Sequence, residues 1–183
     1  VEGQSKNLSP GEELTRDLAW YEETASMEVT LTRRGDALNK SAGCHLDLGA
    51  PSKAMEACER ALDIARQTKD LQCEVSVLRK LGIAFDDLGQ PQRAIENYEK
   101  ALEISRETRS RRNEALILGN LGDAYERQGR PEKAIECYEQ ALAIHRETGN
   151  RRSEGAVLGN LGTTYGALGQ IGKAIEHIEH GLQ

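Results

Sequence analysis

The sequence predicts an all-α fold, an α-solenoid of antiparallel helix pairs on one continuous core, and three observations predict it. The first is a repeat. Gly119–Leu142 reads GNLGDAYERQGRPEKAIECYEQAL; it recurs as RKLGIAFDDLGQPQRAIENYEKAL from Arg79 and as GNLGTTYGALGQIGKAIEHIEHGL from Gly159, forty residues to either side. A weaker copy, NKSAGCHLDLGAPSKAMEACERAL, begins at Asn39. A fixed period of this kind marks an array whose units cover one another's apolar faces. The second is composition: Leu, Ala, Glu, Lys and Arg are abundant and aromatics are only 4%, which suits long helices better than a sheet. The third is punctuation, with Gly-x-Pro turns separating apolar stripes of helical period.

Residues 1–8 are polar and patternless and read as a flexible tail. Ser9-Pro10-Gly11-Glu12 reads as a helix start, with Ser9 as cap, Pro10 in the first turn and Glu12 completing a capping box. The helix expected over Pro10–Val29 carries Leu14, Leu18, Tyr21, Ala25 and Val29 on one stripe. Its later part aligns with Asn97–Leu116, so residues 9–33 read as a degenerate half-repeat. Trp20 has no aromatic counterpart in its siblings, and packing or capping suits it better than a ligand contact.

Full repeats follow over 34–73, 74–113 and 114–153, with a truncated one over 154–183, all in a single array from 9 to 183. In the best copy the first helix is expected over Glu114–Gln128, burying Leu118, Leu121, Gly122 and Tyr125. Gly129-Arg130-Pro131 stops it, and Pro131 opens a second helix to Thr148 with Ala134, Ile135, Tyr138, Ala141, Leu142 and Ile144 on one stripe. Short connections make the two antiparallel neighbours. Gly122, Gly82 and Gly162 sit mid-helix at a cost of about 1 kcal/mol against Ala. Their shared register implies close approach of the facing helix, with Ala134, Ala94 and Ala174 as the expected small partners.

Net charge is −6, so a generic grip on nucleic-acid phosphates is not expected. Cys44, Cys58, Cys73 and Cys137 show no metal spacing and read as small fillers of a reduced cytoplasmic protein. No apolar run approaches the ~20 residues a membrane span needs, and no signal peptide is visible. The chain opens on Val1 and stops at Gln183 inside a repeat, which reads as a piece of something longer.

Leu118, Leu121-Gly122, Tyr125, Ala134, Tyr138 and Ala141 together resemble the signature of tetratricopeptide repeats, over Arg34–Gln183 and the half-repeat before it. The period is forty rather than that family's usual thirty-four, and the proline that commonly closes the second helix is absent, with Arg106 and Arg146 near its place. Forty-residue units with GNLG and a double Arg (Arg111-Arg112, Arg151-Arg152) are similar to the Pins/LGN type and to arrays on bacterial signalling ATPases and caspase-like proteases; kinesin light chains have related, slightly longer units. The Arg34 copy departs most, with Ser41-Ala42 in place of Leu-Gly and His45 in place of the aromatic. The resemblance implies a right-handed superhelix whose concave face, lined by first helices, holds a peptide or a partner helix.

Opposite the buried stripe of the first helix lie Asn120, Asp123 and Arg127, on the side the family uses as its groove. Register transfers this to Lys40, to Lys80, Ile83 and Asp87, and to Asn160 and Thr163, with Asn39 and Arg79 at the edge. Asn both donates to and accepts from a peptide backbone. Lys40, Arg79 and Lys80 make the amino-terminal half of the groove basic, which suits an acidic segment or a terminal carboxylate. The family's carboxylate clamp matches poorly, because Ile83 stands where an Asn is wanted. The double Arg pairs fall in the expected inter-repeat turns, where Glu107 and Glu147 offer local partners and anion binding is the sharper alternative.

No P-loop, dinucleotide fingerprint or GxSxG occurs. Cys44-His45 lacks an orienting acid, and His177 with His180 lacks a third ligand and reads as exposed imidazoles. No cofactor, metal, catalysis, nucleic acid or membrane partner is expected. The function predicted is a protein-interaction scaffold that binds a peptide or helical segment in the groove. Its alternative is a self-associating domain of a larger signalling protein, since Ile175, Ile178 and Leu182 lack a following repeat to cover them.

Overall fold

In a computed structural model, residues 9–26 and 30–181 are described, and among them nine α-helices account for nearly every residue. They are α1 (Pro10–Ser26), α2 (Leu31–Asp47), α3 (Pro51–Thr68), α4 (Leu71–Asp87), α5 (Pro91–Glu107), α6 (Arg111–Arg127), α7 (Pro131–Glu147), α8 (Arg151–Ala167) and α9 (Ile171–Gly181). The fold is therefore all-α, a stack of helix pairs. The expected tail and Leu182 lie outside the described residues, as do residues 27–29 at the end of the expected first helix.

The capping box at the chain's first helix is present. Ser9 Oγ accepts from the Glu12 amide at 3.4 Å, and Glu12 accepts from the Ser9 amide at 2.8 Å. At the end of α6, Gly129 takes φ +72°, and the amide of Arg130 returns to the carbonyl of Tyr125 at 2.9 Å. That closes the helix in a Schellman turn and leaves Pro131 free to open α7.

First helices begin earlier than expected, at Arg111 and Arg151 rather than at the glutamates three residues on. The turn is complete by Ser110 and Asn150, and the Asn150 side chain accepts from the Ser153 amide at 3.2 Å. The double arginines are thus first-turn residues, not turn residues. Arg111 pairs with Glu114 of its own helix at 2.9 Å and with Glu147 of the second helix that follows, rather than with Glu107 of the helix before it. A second clamp closes each junction, with Arg66 on Glu74, Arg106 on Glu114 and Arg146 on Glu154, at 2.9 to 3.1 Å.

Two compact units divide the chain inside α4, Val1–Ala84 and Phe85–Gln183. In the first, α2 packs on α1 and α3, around a core that includes Leu38, Ala42, Ala54, Cys58, Ala61 and Leu78. In the second, α5 through α9 pack in sequence, each on the next, around Tyr98, Ile117, Leu118, Leu121, Tyr138, Leu158 and Leu161. The mid-helix glycines serve close packing as expected, but the principal partner differs. A Cβ on Gly122 would run into the Tyr138 ring, and one on Gly162 would lie 2.6 Å from Ile178 Cγ1. The residue four positions after the expected alanine fills the space, because its longer side chain reaches back across the helix pair.

Candidate functional site

The polar face of the first helices is assembled by short bridges from one first helix to the next. In the first unit, Asn39 donates to Ser76 Oγ at 3.1 Å, and Lys80 donates to Asn39 Oδ1 at 2.5 Å and to Ser76 Oγ at 3.2 Å. The lysine stem lies over Gly43, where a Cβ would meet Lys80 Cε at 3.3 Å. Burial, reinforced by neighbouring Arg79, pulls the Lys80 amine below its usual pKa. Lys80 is therefore half-buried and held, not the open cation its register suggested. Lys40 is exposed, with its ammonium 5.6 Å from the centre of the Tyr21 ring, while Arg79 and Ile83 are half-buried.

In the second unit, Asp123 Oδ1 accepts from Asn160 Nδ2 at 3.1 Å and from the Tyr138 hydroxyl at 2.5 Å. Asp87 is exposed, and Arg127 extends an exposed guanidinium to Asp86 Oδ2 at 3.0 Å. Thr163 is exposed, its hydroxyl donating to the Gly159 carbonyl of its own helix at 3.0 Å. Asn120 is half-buried and its amide nitrogen meets no acceptor. The structure thus brings Asn39 with Lys80, and Asp123 with Asn160, into hydrogen-bonded pairs.

Asp86 was not anticipated. Its side chain is only 5% exposed, accepts from the Tyr98 hydroxyl at 3.2 Å as well as from Arg127, and keeps Oδ1 without a partner. Burial raises its pKa; Arg127 and Tyr98 oppose that, and Asp123 and Asp87 add to it. Glu126 plays a related part, accepting from Thr164 at 3.0 Å and from Tyr138 at 3.4 Å. The signal was present in the sequence: an acid stands twelve residues before Tyr98 and before Tyr138.

Of the two imidazoles expected to be exposed, His180 is, and His177 is not. Its ring stacks on Tyr165 with centroids 5.3 Å apart and planes 3° from parallel, and its Nδ1 is buried. His45 is buried and meets Glu22 at 3.2 Å. Among the described residues no three His, Cys, Asp or Glu side chains converge as a metal site, and no helix is long and apolar enough to cross a membrane. Several donors and acceptors of the first helices are thus held in fixed positions by one another.

The sequence profile of the tetratricopeptide repeat matches residues 33–107 and 113–183. No curated protein sequence matches the chain. Among solved structures, BtubC (BKLC) from P. vanneervenii is similar over 92% of this chain and 72% of its own, at 22% identity and a TM-score of 0.81. The nearly identical repeats of a putative kinesin light chain from Podosopora anserina align over 93% of this chain and 83% of their own, at 25% identity and a TM-score of 0.68. A Rap protein complexed with Competence and Sporulation Factor aligns over 93% of this chain, at 20% identity and a TM-score of 0.83. This chain spans 49% of that protein.

Proposed function

For a chain that belongs to the tetratricopeptide repeat family, we propose a non-catalytic scaffold that holds a peptide or helical segment of a partner protein along its first-helix face. The observation that carries this is the pair of bridges Lys80–Asn39 and Asn160–Asp123, which hold polar groups of successive first helices in fixed positions. Groups already immobilised lose little side-chain entropy when a ligand arrives. A Rap protein of the same fold has been captured with a bound factor, which is consistent with this use of the stack. Lys40 and Arg79 favour an acidic stretch of ligand on the amino-terminal unit. Lys80 contributes less to that preference than its charge suggests, because its amine is occupied by Asn39 and Ser76.

The test uses two exposed residues of the face, so that folding survives. Lys40→Glu/Thr163→Arg and a control on the other side of the helix pair, Glu132→Lys, are compared with wild type by affinity capture from source lysate. A protein retained by wild type and control but lost by the double variant supports the reading. Equal retention by all three moves the site off this face.

Self-association is the rival, favoured by α9, where Ile171, Ile175 and Ile178 are 58%, 51% and 45% exposed. A mass in sedimentation velocity that falls on dilution, and that Ile175→Glu holds at the monomer, selects this rival. A monomer at all concentrations removes it.

A further inference from the structure

The second-helix side of the second unit carries a pocket. A cavity of about 530 Å³ opens between α5 and α7, with Leu118, Leu121, Tyr125 and Cys137 at its floor. Its size falls within the range of small-ligand pockets, roughly 300–1,000 Å³. One lining residue differs from its counterpart in the next repeat. Forty positions on, His177 occupies the register of Cys137, and its ring lies flat on Tyr165, the counterpart of Tyr125. Cys137 is too small to stack on Tyr125 as His177 does on Tyr165.

The rim is acidic along α5. Glu99, Glu103 and Glu107 recur at helical spacing over the cavity, and Glu99 is held there by the Tyr125 hydroxyl at 3.1 Å. Arg106 also stands at the rim, but its guanidinium is engaged by Glu114 at 3.1 Å and by Gln140 at 3.1 Å. Arg130 and Lys133 lie over the Tyr125 ring, outside the rim. An apolar floor under a row of three carboxylates, with the one rim cation already engaged, fits one kind of occupant.

We propose that this pocket takes a single large apolar side chain from a partner segment in which that residue is flanked by lysine or arginine. The apolar group displaces water from Leu118, Leu121 and Tyr125, and the flanking cations lie along the α5 carboxylates. The site is separate from the first-helix face and stands or falls independently of it.

The probe is a blocked pentapeptide with tryptophan between two pairs of lysines, titrated calorimetrically into the whole chain. Two companions replace the tryptophan by alanine or the lysines by glutamates. The expected result is saturable binding of the first peptide and at least tenfold weaker binding of both companions. Cys137→His, which copies the covered arrangement at His177, and Glu103→Lys/Glu107→Lys should each weaken the first peptide at least tenfold. Circular dichroism melting shows whether each variant keeps its fold, and the peptide should also slow alkylation of Cys137 by iodoacetamide. Unchanged affinity in a folded Cys137→His variant overturns the proposal, as does equal binding of the alanine peptide or no saturable binding. Loss of binding in Lys40→Glu/Thr163→Arg overturns it by assigning the peptide to the first-helix face. A wild-type dimer that Cys137→His converts to monomer overturns it in favour of a second copy of this chain.

Discussion

One methyl group added at Gly122 would enter the space of the Tyr138 ring, whereas one added at Gly119, a single helical turn earlier, meets nothing within 4 Å. Both glycines lie inside α6, so intrinsic helix preference favours alanine equally at each. Gly119→Ala is expected to raise stability by up to about 1 kcal/mol, and Gly122→Ala to lower it by about 1–3 kcal/mol through overpacking. Urea denaturation of the two variants measures the contrast. A second residue-scale prediction concerns pH. His145 is buried, which lowers its pKa from the usual 6.5, with Glu154 opposing. The unfolded chain therefore binds the proton more readily, so this contribution is intact above pH 6.5 and is lost as pH falls through the depressed value. His145→Ser, which copies Ser105 at the same register, should lose less stability than wild type between about pH 7.5 and pH 5. Matching urea midpoints at both pH values would contradict it. The polar residues of the first-helix face divide in the same way between what register shows and what it does not. Asn160 and Asp123 were legible as facing residues, because the stripe opposite Leu118 and Leu121 is set by helical geometry alone. Asp86 was less so: the acid twelve residues before a tyrosine recurs at Glu126, but the register holds Leu46 and Gly166 in the other repeats, and its environment depends on Tyr98 reaching across the pair.

Helix ends show where local chemistry departs from the repeat. The residue that closes a second helix has positive φ in each of the three full repeats, but it is Gly only at Gly149, with φ +67°; Lys69 and Arg109 adopt +56° and +53°. The left-handed region costs a side-chain-bearing residue about 1 kcal/mol or more. Arg109→Gly is therefore expected to raise the unfolding free energy by about 0.5–1 kcal/mol, after the greater freedom glycine gives the unfolded chain. A thermal midpoint that falls instead would show that the Arg109 side chain contributes more than the strain. Helix existence and pairing were legible from period and turn residues. The starts of α6 and α8 were not, since arginine suits a first turn and a connection alike, and only the completed turn at Ser110 and Asn150 decides between them.

At the scale of the molecule, burial is uneven along the stack. None of the described side chains of α1 is buried, and Ala174 is the buried residue of α9, whereas α6 buries eight residues including Leu118, Leu121 and Tyr125. Opening free energy follows local packing in repeat arrays. Amide hydrogen exchange should be fastest in α1 and α9 and slowest in α6, by at least tenfold; uniform protection would contradict a stack built from neighbour contacts. The repeated Arg–Glu clamp has a consequence of another kind. Arg66 with Glu74, Arg106 with Glu114 and Arg146 with Glu154 present one and the same joint every forty residues. A segment cut from 111 to 150 and spliced in again would meet its own copy through an Arg146–Glu114 joint of identical chemistry. Gene duplication can thus lengthen or shorten such a chain without inventing a new junction, leaving selection free to rewrite the faces one repeat at a time.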